Sequence, residues 1–89
     1  MTLNRWKMFQ KREQLLFIGS EFERARVWQE RGGSEFLSAL ERALVLIDLT
    51  LDDPKWKNDS FQLLSLRAEV AKFYIGENKN SIEILYQAL

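Results

Sequence analysis

Cysteine and histidine are both missing from this 89-residue chain. Without cysteine there is no disulfide frame, thiolate nucleophile or thiolate metal site, and without histidine the usual general base and nitrogen ligand are gone. The expectation is a protein that is not an enzyme and that carries no metal or other cofactor. Net charge is missing as well, because thirteen basic residues stand against thirteen acidic ones. No whole-molecule field therefore draws the chain to nucleic acid or to an anionic membrane. Apolar runs are short, LLFI at 15–18 among them, so nothing reads as a membrane span or a signal core, and the expected location is cytoplasmic. Proline occurs once, at Pro54, and glycine only at 19, 32, 33 and 76.

What remains is a folding composition, 46% apolar and 12% aromatic with three tryptophans, far from that of disordered segments. A chain of this length buries only roughly 60–65% of its unfolded surface, too little to divide, so residues 1–89 are expected to form one domain.

The scarce breakers punctuate the chain. A first segment runs from about Leu3 to Arg31 and ends at Gly32-Gly33, which suits a helix C-terminus that needs positive φ. Ser34 is placed to cap a second helix with Glu35 in its first turn, and Pro54 ends that helix near Leu51. Asp59 and Gln62 have capping-box spacing ahead of a third helix that Gly76 closes. Asn80 and Glu83 repeat the spacing before a last short segment, 81–89.

The stretch ALERALVLIDLTL, 39–51, admits two periods. Val45, Ile47, Leu49 and Leu51 alternate as a strand would, whereas Leu37, Leu40, Leu44, Ile47 and Leu51 recur at helical spacing. The strand pattern covers only Val45 to Leu51 and the helical one everything from Ser34, so the longer pattern decides for a helix. The third helix carries two apolar stripes: Phe61, Leu64, Ala68, Ala71 and Ile75 on one, Leu63, Leu66, Val70 and Phe73 on the other. The resulting expectation is an all-α, small antiparallel bundle of three main helices plus a short C-terminal helix. Its core should contain Ile18, Phe22, Leu44, Ile47, Phe61, Leu64 and Ala68. The first helix, about 43 Å long against about 27 Å for the second, should bend at Gly19-Ser20 or be covered by the last segment through Ile82, Leu85, Tyr86 and Leu89.

Chemical motifs are sparse. Glu13, Glu21, Glu23, Glu41 and Glu69 fall mostly on polar arcs beside cations, as Glu23 does with Arg26 and Glu69 with Lys72, and no histidine completes a di-metal bundle site. ERGGSEF lacks phosphate-loop spacing. Arg5, Lys7, Lys11 and Arg12 scatter over more than half a helical wheel and form no stripe. Trp56, after Pro54, is expected to seal one end of the bundle. The favoured function is a non-enzymatic protein–protein interaction module that pairs with itself as a homodimer, or with another helical protein. Its candidate interface consists of Leu3, Trp6, Phe17, Trp28, Val45, Leu46 and Leu49, which fall outside the main apolar arcs. The lesser reading is a nucleic-acid regulator acting through the basic N-terminal helix, and no membrane role is expected.

Overall fold

The computed structural model describes every residue from Met1 to Leu89 and is all-α. Helix α1 spans Leu3–Trp6, α2 Lys11–Gln29, α3 Ser34–Leu51 and α4 Ser60–Tyr74, and two 3-10 segments, Pro54–Asp59 and Ile82–Ala88, follow α3 and α4. The C-terminal helix expected from sequence is thus a 3-10 turn sequence rather than an α-helix.

Helix α3 has the bounds that its periodicity predicts. Gly32 and Gly33 stand before it at φ 70° and 86°, a region where a Cβ is costly. Gly33 flanks the first turn and Ser34 is already helical, so Ser34 does not cap the helix as expected. Asp59 precedes α4 without a side-chain cap bond. Its carboxylate instead accepts from Lys11 Nζ at 2.9 Å. Ahead of the last segment the cap is Ser81, whose hydroxyl accepts from the Glu83 amide at 3.3 Å.

The bend expected at Gly19 is absent, for α2 runs unbroken through it. The long first segment breaks earlier, between Lys7 and Gln10. There the Glu13 carboxylate accepts from the Gln10 amide at 2.9 Å and fixes a new helix start. The break lets α1 fold back, so that Trp6 is fully buried instead of trailing beyond the bundle. Gly19 instead faces the tail, where a Cβ would stand 3.4 Å from Leu89 Cδ1, an ordinary contact.

Helices α2 and α4 each pack along α3 and meet one another little, and the Ile82–Ala88 segment fills the cleft between them. The core joins Ile18, Phe22 and Ala25 of α2, Ala39, Leu40, Ala43 and Ile47 of α3, Leu66, Val70 and Phe73 of α4, and Ile82 and Leu85 of the tail. The face chosen for the third helix from sequence is therefore wrong. Phe61, Leu64 and Ala68 lie outside, and the stripe Leu63, Leu66, Val70 and Phe73 faces in. Leu44 is half-buried at the edge of the core.

Both tryptophans at the other end donate to buried acceptors. Trp6 Nε1 donates to Thr50 Oγ1 at 3.0 Å, and Trp56 Nε1 to Gln14 Oε1 at 2.6 Å. Gln14 Nε2 in turn donates to the Trp6 carbonyl and to Asp53 Oδ2, each at 2.9 Å. Burial pushes the Asp53 carboxyl up, but hydrogen bonds from Lys55 and Gln14 outweigh it, and its pKa falls below 3.8. Every buried polar side-chain atom has a partner, which is what an interior of low dielectric demands. Trp56 seals this end, as its position after Pro54 predicts.

Candidate interaction face

A helix apolar on two sides must turn one of them away from its own core. On α4 the inner stripe is taken by α3 and the tail, and the outer one has no cover. Phe61 is 79% exposed, Leu64 55% and Ile75 65%, with Ala68 exposed and Ala71 half-buried between them. Their spacings of 3, 4, 3 and 4 keep all five on one line along the helix, the pattern of a coiled-coil seam.

The two flanks of this line are polar and charged. On the flank beside α3, Arg67 Nε donates to Asp48 Oδ1 at 2.6 Å, and the Tyr74 hydroxyl donates to Glu41 Oε1 at 2.6 Å. The bond to Glu41 holds the Tyr74 hydroxyl above its ordinary pKa, and Asp48 does the same for Arg67. These contacts set the antiparallel register of α3 against α4, which brings half-buried Leu44 level with Ala71 and Leu51 level with Leu64. On the opposite flank lie Gln62, Ser65, Glu69 and Lys72, and Lys72 Nζ sits 3.2 Å from Glu69 Oε1. The sequence predicts that pair, as it does Glu23 with Arg26.

The seven residues expected to form an interface lie on α1, α2 and α3. Trp6 lies wholly inside, its ring 5.9 Å from that of Phe17 and 6.1 Å from that of Phe9, so it has no surface to offer. Leu3 is half-buried and Phe17 41% exposed at the rim of this aromatic group. Trp28 is half-buried near the far end of α2, with the Arg31 guanidinium 5.2 Å above its ring. Val45 and Leu46 share a shallow cavity of about 370 Å³ with Met1, Glu21, Glu41 and Arg42. Leu49 is half-buried on the same helix. The structure gathers Trp6 with Phe17 and Val45 with Leu46, with Met1 beside the second pair and Trp6 bonded to Thr50, next to Leu49.

Two further places hold charge. Glu21, read from sequence as polar surface, is buried between Arg24 and Arg42 and accepts from Arg42 Nε at 2.8 Å. Beside the tail, a groove of about 520 Å³ is lined by Leu15, Leu16, Gly19 and Leu89, with Arg12 and Glu23 at its margins. Glu23 accepts from Arg26 and, at 2.6 Å, from the Tyr86 hydroxyl. These bonds, that from Arg26 first, lower its pKa to about 2, while burial and then the Glu23 bond raise Tyr86 to about 12. At the N-terminal end Lys11 is engaged with Asp59 and stands 4.8 Å over the Trp56 ring, so one of the four cations there is committed within the fold.

No protein-family model, curated protein or solved structure matches the chain.

Sequence reasoning saw the outer stripe of α4 and assigned it to the core. The distinguishing signal is bulk. The inner stripe has leucine, leucine, valine and phenylalanine with no alanine, whereas the outer one has alanine at two of its five positions, Ala68 and Ala71, and a core of few helices needs the larger side chains.

Proposed function

We propose that this chain is a non-enzymatic protein–protein interaction module whose working surface is the outward face of α4, buried in use against another apolar helix. One observation carries the reading: an uncovered apolar line runs the length of a fifteen-residue helix, about 22 Å. Free-standing proteins seldom leave contiguous apolar patches beyond a few hundred Å² in water, and those that do commonly use them. Such a line contributes mainly through loss of hydrated apolar area, which matches a role in assembly. The stripe itself carries no titratable or nucleophilic side chain.

Sedimentation equilibrium of the intact chain tests this directly. The expected result is assembly by about 100 μM, abolished by Leu64→Glu and by Ile75→Glu. Both positions are open to water, so circular dichroism and thermal melting should show each variant folded. A monomeric mass at that concentration rules out micromolar association of this face with itself, and assembly indifferent to both substitutions places the contact elsewhere.

A further inference from the structure

Resting on that reading, we propose that the face fits a second copy of this chain laid antiparallel across it, with a two-fold axis crossing α4 between Glu69 and Val70. The order of side-chain sizes along the stripe is nearly symmetric about this point: Leu64, Ala68, Ala71, Ile75. The axis sets Ala68 against the partner's Ala71 and Leu64 against the partner's Ile75. Two alanines at the crossing let the helices approach at the short end of the usual 8–10 Å range, and the larger side chains close the gap on either side. Phe61 then reaches past the partner's Ile75 to the turn at the partner's Gly76, where a Cβ would meet no atom within 4 Å.

The flanks select the direction. A two-fold axis of this kind brings each flank against the same flank of the other copy. On the outer flank Lys72 comes within about one turn of the partner's Glu69, and on the α3 flank Arg67 comes beside the partner's Tyr74 and Glu41. Each contact occurs twice. A parallel pair would instead set each flank against the opposite one, with Arg67 beside the partner's Lys72 twice, cation against cation. The Glu69–Lys72 pair within each chain is an exposed one, so exchanging it for a pair between chains costs little.

Charge exchange and a distance decide the matter. Lys72→Glu places two acidic side chains together at each contact and should weaken association roughly three- to tenfold. Glu69→Lys should weaken it similarly, and the double variant Glu69→Lys/Lys72→Glu should return to near the original affinity. Because the chain has no cysteine, Gln62→Cys accepts a single nitroxide. In the antiparallel pair the two labels lie about 22 Å apart along the axis, whereas a parallel pair keeps them level. Failure of the double variant to recover, or labels that are level, overturns the antiparallel pairing while leaving α4 as an association face. A chain that stays monomeric at about 100 μM overturns pairing of this face with a second copy in either direction.

Discussion

Two leucines on α4 provide the sharpest check of the fold. Leu66 is 3% exposed in the cluster with Val70 and Phe73, and Leu64, two positions earlier, is 55% exposed. Both sit well inside the helix, so their replacement by alanine changes helix propensity equally, and slightly in alanine's favour. For Leu66→Ala the loss is that of a buried leucine together with the space left behind, about 3 kcal/mol within the usual range of 2–5. For Leu64→Ala less than half of the side chain is withdrawn from water, no closed cavity forms, and full burial of a leucine is worth only about 1.5–3 kcal/mol. The cost should stay below about 1 kcal/mol. Set against the roughly 4–13 kcal/mol expected for a chain of this length, the first substitution is severe and the second mild. Urea unfolding followed by tryptophan fluorescence reads both. With a slope near 1 kcal/mol/M, Leu66→Ala should lower the midpoint by roughly 3 M and Leu64→Ala by less than about 1 M. The measurement belongs at a few micromolar chain, below the range where association would stabilise the native state. Equal midpoint shifts, or a larger one for Leu64, would show that α4 turns its other side to the core.

At the sealed end, Gln14→Ala should cost about 3–5 kcal/mol, because it leaves the Trp6 carbonyl, the Trp56 indole and the buried Asp53 carboxylate each short of a partner; a calorimetric loss under about 1 kcal/mol would refute the network. Asp53 has a lower pKa folded than unfolded, so its contribution is present above about pH 3.8 and is lost as pH falls through the folded value. Acid titration of stability should accordingly be less steep below that pH in Asp53→Asn than in the parent chain. Gly19→Ala, which adds a methyl at ordinary contact distance from Leu89, should stabilise by about 0.5–1 kcal/mol through helix propensity. A lowered urea midpoint would mean that Leu89 cannot yield.

Where the sequence carried a single dominant signal, the fold was legible in it. Helix α3 has one broad apolar arc between a Gly-Gly pair and a proline, and its bounds emerge to the residue. The role of Trp56 follows from its place after Pro54. The break after α1 was not legible because neither glycine nor proline marks it. Its only trace is Gln10 three residues before Glu13, a capping spacing with glutamine where serine or threonine is usual. Helix α4 was half legible: both stripes were evident, but two apolar sides give a wheel no preferred direction. The outer stripe of α4, assigned to the core, was for that reason absent from the interface expected from sequence. Glu21 escaped notice because a carboxylate between arginines on one's own and a neighbouring helix looks, in sequence, like any solvated one.

At both ends of the bundle the chain is fastened to α2 or α3 across long stretches of sequence. Tyr86 reaches Glu23 over 63 positions and the Ile82 amide reaches Gln29 over 53. At the opposite end Trp56 meets Gln14 over 42, while Trp6 joins Thr50 over 44. The pairings of α2 with α3 and of α3 with α4 are hairpins of neighbours and close small loops, so they can form early and fast. The terminal fastenings need that frame, so they are expected to form after the rate-limiting step. Loosening them therefore hastens unfolding and leaves the folding rate nearly unchanged. On that expectation the lifetime of the native molecule is set at the two ends of the bundle, and the speed of its formation in the middle.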